Sequence, residues 1–302
     1  MPRRLSLLVF ALALFSVAAV RADDRYFLSD GVKIHYTVEG EGEPVILIHG
    51  FAASIPTQWG GSGVIKDLSQ DYQVIAIDNR GHGRSGKPHE PEKYGIQMVE
   101  DVVRLMDEMK IDKAHVVGYS MGGFITNKLL TTHPDRLITA TLGGAGWAQA
   151  DDERLAFLKT LAESLEAGKG IGPLIAELTP AGRPKPTEEQ MAGINQMLML
   201  TNDQKALAAV IRGMTGLSVP EEQLKANKVP TLSLIGEIDP LKAGVDELEK
   251  RMTNLRVVVI DGADHMTAFT NPTFRKTLRE FIDANAREGA KKPAAAAAGG
   301  GK

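Results

Sequence analysis

A serine between two glycines is the strongest chemical signal in the chain. Gly118, Ser120 and Gly122 form the pattern G-x-S-x-G, directly after an apolar run and directly before a segment of helical period. A sharp turn from strand to helix holds such a serine in a strained backbone conformation with its hydroxyl exposed, and the small flanking residues prevent clashes. The following helix points its positive end to where a reacting oxygen gains negative charge. The pattern therefore predicts a nucleophilic serine at position 120.

A nucleophilic serine needs a histidine to take its proton and a carboxylate to orient that histidine. His265 follows the last predicted strand, where a loop at the carboxyl edge of a parallel sheet lies over the serine. Asp239 follows another strand, and Ser120, Asp239, His265 is the chain order expected for this arrangement. Glu237 and Asp264 are rival carboxylates, but Glu237 lies too close to its strand end and Asp264 adjoins the histidine. We therefore predict a catalytic triad of Ser120, Asp239 and His265.

Two backbone amides are candidates for an oxyanion hole, which would bind the negative oxygen that the reaction creates. Met121 directly follows the serine, and Phe51 follows a histidine–glycine pair after an early apolar run. Gly50 lets the chain come close to a substrate carbonyl. His49 is interpreted as a brace for its loop, and the polar, glycine-containing loop 78–85 as structural.

The elements that must position these residues alternate along the chain. Short apolar runs separate longer segments of helical period, which is typical of a mostly parallel sheet covered by helices. The predicted strands are 32–37, 44–49, 73–78, 113–119, 137–143, 231–236 and 255–261. The clearest predicted helices are 95–110, 121–132 and 270–286.

One stretch lacks any convincing strand. Residues 150–228 contain helical segments separated by glycine and proline, and we predict that they form a helical cap. The cap would be inserted between two parts of an α/β core, 23–149 and 229–287. The alternative is that these helices are additional covers of the same sheet.

The predicted pocket is largely apolar. The cap contains clusters of methionine, and Trp147, Met199 and Met266 are candidate pocket residues, which indicates adaptable walls. No cationic residue adjoins the triad motifs in sequence. These features predict a small uncharged acyl substrate as the partner.

The N-terminal segment 1–22 has the pattern of a signal peptide. Arg3 and Arg4 precede an uncharged apolar run, and Val20 and Ala22 occupy the two positions that a signal peptidase reads. We predict cleavage after Ala22, export to a bacterial periplasm or the medium, and no stable membrane association afterwards. An uncleaved membrane anchor is the alternative.

Composition limits the classes of function. The 302 residues are 43% hydrophobic with a formal net charge of −3, which suits a folded enzyme and disfavours nucleic acid as a partner. There is no cysteine, so disulfide frameworks and thiolate metal sites are excluded. Residues 288–302 are rich in alanine and glycine and are predicted to be a disordered tail.

Taken together, these segments resemble the α/β-hydrolase superfamily, specifically its helical-capped branch of serine esterases, haloperoxidase-like perhydrolases and carbon–carbon bond hydrolases. The resemblance covers about residues 31–286, with four loop motifs after four different strands. It implies an eight-stranded sheet, the triad above, an oxyanion hole from Phe51 and Met121, and no metal or organic cofactor. Relatives that dehalogenate or open epoxides carry aspartate where Ser120 stands, so these activities are disfavoured.

The leading functional hypothesis is hydrolysis of a carboxylic ester or related acyl compound through an acyl-enzyme intermediate, as in a carboxylesterase. One alternative uses the same triad for perhydrolysis, amide cleavage or carbon–carbon bond hydrolysis. Another is a non-catalytic ligand-binding protein of the same fold. Turnover of any ester distinguishes the catalytic hypotheses from the last one.

Overall fold

The centre of the molecule is one eight-stranded sheet. The computed structural model describes residues 23–147 and 151–287. Predicted segments 1–22 and 288–302 lie outside these ranges. In chain order the strands are β1 Asp23–Ser29, β2 Val32–Glu39, β3 Glu43–Ile48, β4 Tyr72–Ile77, β5 Ala114–Tyr119, β6 Leu137–Gly143, β7 Thr231–Gly236 and β8 Leu255–Ile260.

The sheet is mostly parallel, as predicted. Its spatial order is β1-β2-β4-β3-β5-β6-β7-β8, and β2 runs antiparallel to both of its neighbours while the other pairs are parallel. All seven predicted strands are present, with ends shifted by at most two residues. Strand β1 was missed, because its outward residues Tyr26 and Leu28 are apolar and exposed, which obscures the alternation of a half-buried strand.

Ten α-helices accompany the strands within the described ranges. They are α1 Val64–Leu68, α2 Ile96–Glu108, α3 Met121–Thr132, α4 Asp152–Glu166, α5 Gly172–Glu177, α6 Glu188–Thr201, α7 Gln204–Gly213, α8 Glu221–Ala226, α9 Lys242–Glu249 and α10 Pro272–Asn285. The three predicted helices correspond to α2, α3 and α10. No described helix combines the length and apolar character that crossing a membrane requires.

Both faces of the sheet are buried, which explains why its central strands are apolar throughout. In β3, Val45 and Leu47 pack with residues of α1 and α10, whereas Ile46 and Ile48 pack with residues of α2 and α3. Each such side chain stabilises the fold by roughly 1.5–3 kcal/mol when it leaves water. The two apolar layers therefore fix the strands whose ends carry the candidate site.

The helices between β6 and β7 form a separate layer. Helices α4 to α8 follow one another without an intervening strand in the described part of this stretch. Helix α4 begins at the Asp151 side chain, which accepts a hydrogen bond from the Arg154 amide at 2.8 Å. Helix α6 begins with a capping box between Thr187 and Gln190. These helices occupy the segment predicted as the cap, 150–228.

Candidate active site

Ser120 lies at a strained turn between β5 and α3. Its backbone has φ 53° and ψ −118°, a conformation that non-glycine residues rarely adopt. The Ser120 amide donates to the Gly143 carbonyl at 2.8 Å, and the Ser120 carbonyl accepts from the Phe124 amide at 3.1 Å. These bonds tie the turn to β6 and to the first turn of α3, so the serine is held in place from both sides.

The flanking glycines are required by close backbone contacts. A Cβ atom at Gly118 would lie 1.9 Å from the Gly122 carbonyl oxygen, and one at Gly122 would lie 2.1 Å from the Ile48 carbonyl oxygen. Neither backbone oxygen can move freely, because Gly122 belongs to α3 and Ile48 to β3. The small residues on either side of Ser120 are therefore a direct steric requirement.

The structure brings the three predicted triad residues together. The His265 Nε2 atom lies 3.0 Å from the Ser120 Oγ atom, and the His265 Nδ1 atom lies 2.8 Å from the Asp239 Oδ2 atom. The second carboxylate oxygen of Asp239 accepts from the Leu241 amide at 2.9 Å. An ionised carboxylate can only accept, so the proton of His265 belongs on Nδ1 and Nε2 is free to accept from the serine.

The two rival carboxylates are engaged elsewhere. The Asp264 Oδ1 atom accepts from the Met266 amide at 3.1 Å, and from the amide and hydroxyl of Thr267 at 3.0 and 2.7 Å. Glu237 accepts from the Gly262 amide at 2.8 Å. Asp264 stabilises its own turn, and Glu237 joins the loop after β7 to the loop after β8, which leaves Asp239 as the partner of His265.

Tyr119 helps to hold His265 in position. Its buried hydroxyl donates to the His265 carbonyl at 2.5 Å, and the two rings lie 5.4 Å apart. Burial raises the pKa of Tyr119 well above its usual value, so this donor stays protonated. Sequence reasoning missed Tyr119, although its place next to the serine was a usable signal.

The predicted oxyanion donors lie at the same site. Phe51 and Met121 both line the cavity that contains Ser120, and within the described ranges neither amide donates a hydrogen bond. A Cβ atom at Gly50 would lie 3.2 Å from the Ser120 Cβ atom, which shows how closely the two loops approach. This arrangement is suited to binding an oxyanion beside the serine.

Gln58 is a further polar residue beside the serine that sequence reasoning missed. It lies in a π-helical turn, Ile55–Gly60, directly after the loop of Phe51, and such turns are frequent at functional sites. The Gln58 Oε1 atom is 3.4 Å from the Gly50 amide, and its buried Nε2 atom has no partner among the described residues. Its amide therefore adds a polar group to the wall of the cavity.

Loop 78–85 forms hydrogen bonds to His49 and Ile55, on either side of Phe51 in the chain. This agrees with the interpretation of the loop as structural and not catalytic. Asp78 accepts from the Ile55 amide, the Arg84 amide and the His35 ring, each at 2.8–2.9 Å. Burial favours the neutral form of Asp78, but these hydrogen bonds outweigh it and lower its pKa to about 2. His49 donates to the Gly50 carbonyl at 2.7 Å and accepts from the Asn79 amide at 3.0 Å, so it braces this loop.

His82 in this loop predicts a pH dependence of stability. Burial and the nearby His49 lower its pKa from 6.5 to about 3. Between pH 6.5 and pH 3, the His82 imidazole is therefore protonated in the unfolded chain but neutral in the folded one, so stability falls as the pH drops through this range. When the pH is lowered from 7 to 5, His82→Asn should therefore lose about 2 kcal/mol less unfolding free energy than the wild type. Urea denaturation at both pH values measures this; equal losses in the two proteins would contradict it.

A cavity of about 420 Å³ connects the candidate triad to the cap. Ser120 and His265 lie in its wall with the loop of Phe51, and α4, α5, α6 and α7 supply the opposite wall. Most of the lining side chains are apolar, and the size suits a small ligand. The helices between β6 and β7 therefore cover the carboxyl edge of the sheet, as a cap would.

Two of the three predicted pocket residues do not line this cavity. Met266 does, although it is 62% exposed. Contrary to the prediction, Trp147 does not line this cavity: its ring nitrogen donates to the Val219 carbonyl at 2.8 Å, and its ring stacks on Arg251. It lines an adjoining cavity of about 310 Å³ that shares Arg154 with the first. The prediction for Met199 was wrong, because α6 turns this side chain away from the cavity. The lining residues of α6 follow a spacing of three and four: Ile194, Met197, Leu198 and Thr201.

Met197 and Met199 give a matched pair for testing the cavity wall. Both lie on α6 and are more than half exposed, but Met197 lines the cavity and Met199 does not. Met197→Ala should shift the optimum acyl length upwards by opening one wall, with a change of about 3- to 30-fold in relative kcat/KM for longer esters. Met199→Ala should leave the length profile unchanged. Equal effects would show that the cavity is not the acyl site.

The cavity also contains a cation that the sequence motifs did not indicate. Arg154 of α4 lies in the wall of the cavity that contains Ser120. The expectation of a pocket without a positive charge was therefore wrong, because folding of the cap brings in a residue remote from every triad motif. Within the described ranges, no group of three or more His, Asp or Glu side chains is arranged to hold a metal ion.

Comparison with known proteins agrees with this architecture. A family model described as the alpha/beta hydrolase fold matches residues 43–167, a range that includes Ser120. The chain is similar to a Bacillus subtilis protein provisionally named 2-succinyl-6-hydroxy-2,4-cyclohexadiene-1-carboxylate synthase, with 27% identity over 84% of this chain and 96% of that protein.

Two further similar proteins have names that refer to esters or lactones. Pimeloyl-(acyl-carrier protein) methyl ester esterase of Aeromonas hydrophila is 26% identical over 80% of this chain and 96% of that protein. The solved structure of Est816, described as an N-acyl homoserine lactone degrading enzyme, is 26% identical with a TM-score of 0.67. It covers 85% of this chain and 100% of its own.

Proposed function

Because this chain belongs to the α/β-hydrolase superfamily, we propose that it is a carboxylesterase that uses Ser120, His265 and Asp239 as its triad. The observation that carries the proposal is the continuous hydrogen-bonded path from the Ser120 hydroxyl through His265 to Asp239, which opens into the cavity beneath the cap.

The first half of the reaction forms an acyl-enzyme. The Ser120 oxygen attacks the ester carbonyl carbon while its proton passes to His265 Nε2, and the carbonyl electrons move onto the oxygen. The amides of Phe51 and Met121 stabilise that oxyanion. When the tetrahedral intermediate collapses, the alcohol leaves with the proton from His265, and the acyl group remains on Ser120. Asp239 stabilises the imidazolium form between these two transfers.

The second half releases the acid. A water molecule loses a proton to His265 Nε2 and attacks the acyl carbon, which forms a second oxyanion in the same hole. The intermediate expels the Ser120 oxygen, which regains its proton from His265. The enzyme thus returns to its starting protonation state without a cofactor being required by the balance of the reaction.

The names of similar proteins support an ester or lactone substrate, since a lactone is a cyclic ester. A screen of aryl esters of increasing acyl length on the purified protein tests the proposal. Turnover that depends on Ser120 supports it, whereas a folded protein that hydrolyses none of these esters contradicts it. Perhydrolysis, amide cleavage and carbon–carbon bond hydrolysis would use the same serine with a different bond or nucleophile.

We also propose that the protein acts outside the cytoplasm, on the basis of the signal pattern in residues 1–22. Mass spectrometry of protein made in a secreting host should find Asp23 as the first residue. A full-length, membrane-bound product would instead show that the apolar run is an anchor.

A further inference from the structure

Arg154 lies in the wall of the same cavity as Ser120. Its guanidinium carbon is 5.1 Å from the ring centre of Phe124 and 5.8 Å from that of Phe157, and both rings line the same cavity. Phe124 follows Ser120 by one helical turn, since its amide donates to the Ser120 carbonyl. The positive charge is therefore held by aromatic contacts in the wall of the space where the acyl group of a substrate would lie.

The guanidinium group of Arg154 has no hydrogen-bond acceptor and no carboxylate within 4.0 Å in the described ranges. Burial lowers the pKa of Arg154, and the more distant Glu177 and Asp151 partly offset this, but a guanidinium stays charged in proteins. Buried Arg80 shows the contrast, because it donates two bonds to the Asp101 carboxylate at 2.7 and 2.6 Å.

The Arg154 side chain is partly exposed and has no acceptor among the described residues, so its charge is available to an anion that enters the cavity. We propose that Arg154 binds a carboxylate on the acyl substrate, so that this enzyme prefers esters with a negative charge in the acyl chain. The planar guanidinium matches a carboxylate through two parallel hydrogen bonds. This inference rests on the proposed esterase function and replaces the expectation of an uncharged substrate.

The test compares two series of methyl esters of the same length. One series consists of monomethyl esters of dicarboxylic acids of increasing chain length, and the other carries a primary amide in place of the free carboxylate. The amide has nearly the same shape but no charge. At the best length, the wild-type kcat/KM should be on the order of 10- to 100-fold higher for the carboxylate, as expected for charge-assisted hydrogen bonds.

The ratio of the two kcat/KM values is the readout, because a change in cavity shape affects both substrates alike. Arg154→Gln should bring the ratio close to one. Arg154→Lys should give an intermediate ratio, because it keeps the charge but loses the planar pair of donors. Arg212→Gln is the matched control: this exposed cap residue pairs with Glu166 and does not line the cavity, so its loss should leave the ratio unchanged.

Three results would overturn the inference. The first is a wild-type kcat/KM ratio near one at every chain length, and the second is a preference for the carboxylate that persists in Arg154→Gln. The third is a fall of this ratio in Arg212→Gln as large as that in Arg154→Gln, which would indicate a long-range charge effect. If Arg154→Gln does not fold, the wild type, Arg154→Lys and Arg212→Gln still decide. In each case, Ser120-dependent cleavage of the methyl ester in the amide-bearing series would leave the esterase proposal intact. Cleavage of that ester without Ser120 would refute the esterase proposal instead.

Discussion

Ser120→Ala is expected to abolish ester hydrolysis, lowering kcat by a factor on the order of 10⁶. The hydroxyl oxygen is the atom that attacks, and within the described ranges no other side chain forms a hydrogen bond with His265 Nε2. Initial rates on a good aryl ester, measured with enough enzyme to detect slow turnover, give the comparison.

The same variant should remain folded. Among the described residues, the Ser120 hydroxyl makes one hydrogen bond, to His265, and alanine keeps a Cβ atom at the same backbone position. The unfolding free energy should therefore change by no more than about 1.5 kcal/mol. Ser69→Ala, which alters a partly exposed serine that does not line the cavity, controls for effects of serine removal in general. Substantial activity in Ser120→Ala would remove the serine from the mechanism.

Asp239→Asn should lower kcat by about 10⁴, because the amide cannot hold His265 with its proton on Nδ1 or stabilise the imidazolium. Asp264→Asn is the matched control, since it removes a carboxylate one residue from the histidine. Asp264 bonds within its own turn, so its replacement should cost about 10-fold or less. Rates across a range of pH exclude a simple shift of the optimum.

The reverse order of these two losses would identify Asp264 as the acid that orients His265. In that case the fold and the nucleophile would stand, and the hydrogen bond between His265 and Asp239 would have to be structural. Nearly equal losses would show that neither carboxylate acts alone.

The candidate triad could be predicted because its residues are positioned by strand ends. Ser120, Asp239 and His265 each follow a strand of one parallel sheet, and the carboxyl ends of parallel strands meet at the same edge. Apolar runs identify such strands, so residues more than a hundred positions apart in sequence could be placed together. The steric need for Gly118 and Gly122 followed from the same local geometry.

The wall of the cavity could not be predicted in this way, because it depends on how each cap helix is rotated. Met197 and Met199 have the same chemistry and nearly the same place in sequence, yet Met197 lines the cavity and Met199 does not. Helix α6 is apolar on more than one face, so its sequence does not reveal the buried one. Arg154 was missed for a related reason: its proposed role depends on a contact with Phe124 of α3 that arises only when α4 packs on the core.

Strand β1 was missed because of a weak local pattern. This strand forms because it pairs with β2 along its whole length, from Asp23 opposite Val38 to Ser29 opposite Val32. Such long-range pairing overrides an uninformative alternation of side chains. Trp147 also shows the effect of long-range contacts. It is a large apolar residue close in sequence to the predicted site, but its ring binds the Val219 carbonyl and packs on Arg251.

The most direct test of the mechanism is labelling of the full protein with an uncharged organophosphonate, followed by mass spectrometry of the intact chain and of its peptides. The phosphonate reacts with a serine activated by a base and leaves a stable adduct, so it reports the nucleophile independently of the preferred ester. The proposed mechanism predicts one adduct per chain, located on Ser120, absent from Ser120→Ala and formed far more slowly in Asp239→Asn. A stoichiometric adduct on another serine, or labelling that persists in Ser120→Ala, would contradict it.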